Sequence, residues 1–145
     1  MRLVIQRVLQ AEVQVDENTV GKINKGLLVF VGAGHEDSRE VADKYLKKIC
    51  LDCVFLKMKM ERLICPLKDV NGELLMVSQF TLYANCKKGN RPSFIEAGEP
   101  HMAEELYEYM IQEAKKSVPV VEHGIFGADM KVSLINDGPF TIILD

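Results

Sequence analysis

DMKVSLINDGPFTIILD, residues Asp129 to Asp145, decides how the sheet of this protein is read. Two runs rich in β-branched and aliphatic residues, DMKVSLI and FTIILD, are strand candidates, and Asn136-Asp137-Gly138-Pro139 interrupts them. Asn-Asp-Gly between apolar runs is a hairpin signal: Gly138 is free to take a positive φ, and Pro139 is tolerated where a strand begins. From this stretch alone, the expectation is two strands joined by an ordinary hairpin turn.

Working outward, RLVIQRVL and AEVQVD alternate as strands, DENTVGK reads as a polar connection, and the unbroken apolar run GLLVFVGAG suits a buried central strand. Asp37 followed by Glu40 resembles a capping box, and Val41, Tyr45, Leu46 and Ile49 recur at helical spacing, which predicts a helix from about Ser38 to Ile49. Beyond the ambiguous LDCVFLKMKMERLICPLKDVNGE, with a turn at Asn71-Gly72, ELLMVSQFTLY reads as a long strand whose second half turns polar. Pro100 suits a first helical turn, and Met102, Leu106, Met110 and Ala114 mark one face of a second helix ending near Lys116. VPVVEH, DMKVSLIN and FTIILD close the chain as strands. Two helices and about seven strands in one domain, 1–145, predict an α+β fold with helices against a curved, largely antiparallel sheet or partial barrel.

The 145 residues are 48% hydrophobic and 27% charged, enough for one sizeable core. No apolar run approaches the roughly 20 residues that span a bilayer, and the start MRLVIQRVLQAEVQVD has no signal-like apolar segment, so the expectation is a cytoplasmic protein without membrane association. Cys50, Cys53, Cys65 and Cys86 are expected as reduced thiols. Cys50 and Cys53 lack a second closely spaced ligand pair, which argues against zinc, and no metal or cofactor is expected.

A net charge of −3 argues against a protein that coats nucleic acid through its phosphates, but not against a local basic patch. Lys57, Lys59 and Arg62 form one candidate, and Lys87, Lys88 and Arg91 in ANCKKGNRPSF another; a solvated surface is the plainer reading of both. Side-chain catalysis has little support. There is no nucleophile elbow, Walker A motif or dinucleotide glycine pattern, and Ser78 and Thr81 have no histidine in their own motif. Ser78-Gln79-Phe80-Thr81 stands out as a polar group ending an apolar strand, which alone reads as an edge strand with one face in water.

Taken together, MRLVIQRV, GLLVFVG, SQFTLYA, KGNRPSF and FGADMKVSLINDGP closely resemble the D-aminoacyl-tRNA deacylases over nearly the full length. The departure lies between Cys50 and Lys68, where this chain has CLDCVFLKMKMERLICPLK in place of the family's acidic, Gly-containing turn and Lys-Met-Asn-like segment. The resemblance implies a homodimeric enzyme that hydrolyses the ester joining a D-amino acid to the terminal ribose of tRNA. It implies a pocket combining Ser78, Gln79, Phe80 and Thr81 of one subunit with a Gly-cisPro motif, Gly138 and Pro139, contributed across the interface and braced by Arg7. Lys87, Lys88 and Arg91 are expected to meet the tRNA acceptor end. Chirality is then judged by exclusion of L side chains, with glycine tolerated, and the ester is attacked by water with help from backbone amides near Phe80 and Thr81 and from the ribose 2′-hydroxyl. Thr81 as a covalent nucleophile, a non-catalytic nucleic-acid-binding module on the same fold, and an esterase for another acyl substrate are the alternatives.

Overall fold

RLVIQRVL and AEVQVD form a single strand, β1 (Arg2–Val15), to which most of the sheet is attached. The computed structural model describes residues 1–52, 67, 71–87 and 89–145. One edge of β1 pairs antiparallel with β2 (Asn18–Ile23) through Ala11 to Val15 and with β3 (Gly26–Gly32) through Arg2 to Val8. The segment DENTVGK is therefore not a loop. Its turn is confined to Asp16 and Glu17, both with positive φ (49° and 64°), the twist that suits a two-residue hairpin. Gly and Asn usually occupy such positions, so an acidic pair does not announce the turn.

Beyond β3 the sheet continues in parallel through β4 (Glu73–Ser78) and β5 (Val121–His123). Parallel neighbours need crossover connections. The helix α1 (Arg39–Lys47) lies between β3 and β4 in the chain, and α2 (Pro100–Lys115) lies between β4 and β5. This makes the strands double-faced. Leu27, Val29, Val31, Leu74 and Met76 join Ala42, Leu46, Tyr107 and Met110 in one core cluster, while Leu28, Leu75 and Val77 join Val8, Ala11, Val13 and Ile23 in another. Burial on both faces is the physical reason that GLLVFVG and ELLMV are unbroken apolar runs.

Ser38 caps α1, its Oγ accepting from the Val41 amide at 3.5 Å. The expected Asp37 cap is displaced because the Asp37 carboxylate is engaged elsewhere, by the Met1 amino group at 2.5 Å and the Gly34 amide at 2.6 Å. In α2, Pro100 takes the first turn, Glu99 caps Met102 N at 3.2 Å, and Leu106, Met110 and Ala114 are buried on the expected face. The sheet comes close to closing on itself: a Cβ added to Gly21 on β2 stands 2.7 Å from the His123 carbonyl oxygen on β5. The result is an α+β domain with a mixed, nearly closed sheet. Six strands are present among the described residues.

The C-terminal stretch is not a hairpin. β6 (Lys131–Leu144) is one strand that runs antiparallel to β1, from Gln14 opposite Lys131 to Leu3 opposite Leu144. Between the Val8/Asn136 and Gln6/Thr141 pairs, Asp137 to Phe140 stand against the single residue Arg7, so the turn signal in the sequence is a bulge. Pro139, which cannot donate to a ladder, lies in it. Among the described residues, no helix is long and apolar enough to cross a membrane.

Candidate active site

The strand expected from ELLMVSQFTLY stops at Ser78. Gln79 makes one last ladder bond, its amide to the Val31 carbonyl at 2.8 Å, and Phe80–Tyr83 then coil into a 3-10 turn. The turn closes through Leu82 N to Gln79 O at 3.3 Å, leaving the Phe80 and Thr81 amides without a carbonyl partner inside it among the described residues. Tyr83 anchors its far end: the ring is buried and its hydroxyl donates to Asp37 at 3.4 Å. Burial and the neighbouring Asp37 carboxylate push Tyr83 up to about 12, so it stays a neutral donor.

Ser78, Gln79 and Phe80 open onto a cavity of about 580 Å³. Its other walls include Val31, Val77, Phe94 and Leu106, together with Phe126 to Met130. The Gln79 side-chain amide donates to the Thr81 hydroxyl. The Phe80 ring is 61% exposed and meets Phe94 edge-on, centroids 5.1 Å apart.

Beyond the turn, the chain makes a loop pinched by reciprocal bonds between Asn85 and Ser93, at 2.8 and 3.0 Å. Lys87 and Arg91 are exposed within it. Lys88 lies outside the described residues, as do the second basic candidate, Lys57, Lys59 and Arg62, and the cysteines Cys53 and Cys65. Of the four cysteines, Cys50 is buried and free, and Cys86 is exposed and free.

Gly138 and Pro139 are exposed, and their peptide is cis. The bulge around them is held from two sides. The Asn136 side chain brackets Phe140, accepting from its amide at 2.7 Å and donating to its carbonyl at 3.2 Å. Arg7 donates Nε–H to the Asp137 carbonyl at 2.8 Å, approaches the Asp137 carboxylate at 3.4 Å, and lies over the Phe140 ring at 4.6 Å.

Within one chain, the two halves of the expected pocket do not meet. Ser78 is in register with Val31, and Val31 with Leu3, whereas the bulge is level with Arg7 on β1 and lies three strand positions from β4. Standard strand spacings make this roughly 13 Å along the sheet and roughly 14 Å across it. Neither Gly138 nor Pro139 lines the cavity. Asn136, Phe94 and the Phe126–Met130 wall were not singled out from the sequence, although FGADM and RPSF belong to the motifs that carry the resemblance. Phe94 and the Phe126–Met130 wall take part through contacts that only the fold creates, Asn136 through two bonds to Phe140 four residues on.

A family model described as D-Tyr-tRNA(Tyr) deacylase matches residues 4–145. A D-aminoacyl-tRNA deacylase of Lactobacillus acidophilus is 54% identical over 145 residues, covering 100% of this chain and 99% of the relative. One from Clostridioides difficile is 48% identical over 145 residues, covering 100% and 97%. A solved structure named c-Myc DNA Unwinding Element Binding Protein superposes with a TM-score of 0.90 at 34% identity, covering 100% of this chain and 98% of that one.

Proposed function

This chain belongs to the D-Tyr-tRNA(Tyr) deacylase family and is a hydrolase of D-aminoacyl-tRNA, and from that premise we propose how its own residues act. The observation that carries the reading is the cavity walled by Ser78, Gln79 and Phe80 beside two amides without partners in their turn. The terminal ribose and its aminoacyl ester enter this cavity. Water adds to the ester carbonyl, the Phe80 and Thr81 amides receive the charge that develops on the carbonyl oxygen, and the bond to the ribose oxygen breaks as that oxygen takes a proton. An aminoacyl ester is already activated, and the neighbouring 2′-hydroxyl assists the water, so no strong protein base is needed.

Chirality is judged by exclusion. The Gly138–Pro139 turn comes from a second copy of the chain, since the register keeps it far from the same chain's Ser78. It faces the substrate α-carbon, leaves no room for an L side chain, and tolerates glycyl-tRNA along with D-aminoacyl-tRNA. The active form is a homodimer, working as a cytoplasmic proofreading enzyme. Lys87, Lys88 and Arg91 meet phosphates of the acceptor end without reading bases.

A second reading, a non-catalytic nucleic-acid-binding module, is favoured by the name of the solved neighbour and by the basic loop. Matched D- and L-aminoacyl-tRNA separate the two readings. Release of D and not L supports the deacylase. Release of neither favours the binding module, and release of L over D removes the chiral assignment.

A further inference from the structure

Arg2 begins β1, far in sequence from the 3-10 turn, yet its guanidinium meets both that turn and Glu96, on the segment that follows the basic loop. Nη1 donates to the Leu82 carbonyl at 3.1 Å, the guanidinium carbon lies over the Tyr83 ring, 4.5 Å from its centre, and Nη2 is 3.6 Å from the Glu96 carboxylate. Leu82 and Tyr83 are the last two residues of the turn that starts with Phe80 and Thr81. Glu96 lies just past Ser93, where the loop carrying Lys87 and Arg91 returns. Other bonds fix that return to the body: Gly98 N to Ala33 O at 2.8 Å, and His35 Nε2 to the Ile95 carbonyl at 2.6 Å. Arg2 thus joins the turn to the returning segment by a hydrogen bond and an ion pair, beside the direct Phe80–Phe94 ring contact.

We propose that Arg2 is a positioning residue that holds the Phe80 and Thr81 amides in register with the basic loop, so that an ester at the amides and phosphates at the loop are accommodated together. The proposal rests on the deacylase reading above. Arginine suits this position because a planar guanidinium can donate to a carbonyl, face a carboxylate and stack on a ring at the same time, whereas an ammonium is a point charge. Arg2 is partly exposed, so its ion pair adds little to stability, and its effect on rate is separable from folding.

The test compares Arg2→Met, Arg2→Lys and Glu96→Gln on two substrates, D-tyrosyl-tRNA and the D-tyrosyl ester of adenosine, which carries the ester without the rest of the RNA. Arg2→Met should lower kcat on both by about tenfold to a hundredfold, the scale of a displaced catalytic group, with the melting temperature nearly unchanged. Arg2→Lys should not restore it. Glu96→Gln should raise KM for the tRNA several-fold and leave the adenosine ester unaffected. Unchanged rates in a folded Arg2→Met protein overturn the proposal, as does a rate loss that only follows the loss of folded protein, or full rescue by lysine. Should Arg2→Met fail to fold, Glu96→Gln still decides: equal effects on both substrates, or none, overturn it. Wild-type protein inactive on both substrates sinks the deacylase reading instead, which is a distinct result.

Discussion

Arg7 donates to the main-chain carbonyl of Asp137 across 2.8 Å, filling a place in the β1–β6 ladder where four residues stand against one. The contact joins the first strand to the last, and the bulge it holds carries Gly138 and Pro139. Arg7→Met keeps an unbranched apolar side chain but removes the guanidinium that lies over Phe140 and its charged hydrogen bond, an interaction of about 1.5–3 kcal/mol. The expected outcome is a loss of D-aminoacyl-tRNA hydrolysis larger than the loss of stability, measured as deacylation rate beside a melting curve. A variant with normal rates shows that the bulge keeps its shape without Arg7.

Assembly is the second test. Since a single chain separates Ser78 from Gly138, activity should require a two-fold dimer. β6 pairs only with β1 among the described strands, and Ile135 and Ile143 on it are exposed, 49% and 67%. Ile143→Lys should weaken the dimer in sedimentation and make specific activity fall on dilution. Full activity in a monomer contradicts the proposed pocket.

The basic loop makes a prediction about salt. Neutralising Lys87 or Arg91 should raise KM for all D-aminoacyl-tRNAs alike and flatten the salt dependence by about one phosphate contact per residue. An unchanged salt slope moves the RNA surface elsewhere, Lys57 and Lys59 being the next residues to test.

How far the sequence foretold this fold depends on how local each signal was. Leu27 to Val31 and Leu74 to Val77 were legible as central strands because burial on both faces leaves an unbroken apolar run. Asn136-Asp137-Gly138 misled because the partner that turns a hairpin into a bulge is β1, more than a hundred residues upstream, and a non-local pairing leaves no mark on the stretch itself. Ser78 to Thr81 stand out in the sequence as a polar strand end and through the resemblance, but the apolar run does not show that the strand stops at Ser78. The 3-10 turn that follows is anchored by the Tyr83 ring beside Gly34 and Asp37, a tertiary contact. Asn136 reads in the sequence only as a turn residue, although its two bonds to Phe140, four residues on, shape the bulge.

The cysteines give a prediction in pH. Burial pushes the Cys50 thiol up to about 11 from an ordinary 9.0. The folded state therefore favours the neutral thiol. Its contribution to stability is fully present below about pH 9 and is lost as the pH rises through about 11. Thermal melts should decline over that window, and less steeply in Cys50→Ala. In native protein near neutral pH, alkylation followed by peptide mapping should label exposed Cys86 well before Cys50.

The last prediction separates the two chemistries that fit the cavity. The Thr81 hydroxyl is bonded to the Gln79 amide, which cannot act as a base, so a covalent route through Thr81 lacks its activator. If the Phe80 and Thr81 amides and the substrate's own 2′-hydroxyl do the work, Thr81→Ala retains most activity, because the substitution keeps the backbone N–H. A tRNA ending in 2′-deoxyadenosine with a 3′-linked D-amino acid should then react much more slowly. A covalent Thr81 reverses the order, with the alanine variant dead and the deoxy substrate nearly normal. Gly138→Ala should match neither. The added Cβ stands 2.3 Å from the Phe140 amide nitrogen, which Asn136 holds in place, so the bulge must shift where the proposed pocket meets the α-carbon. Hydrolysis of D substrates should fall while the dimer stays folded, and a folded Gly138→Ala enzyme with wild-type rates leaves Gly138–Pro139 as nothing more than a bulge in β6.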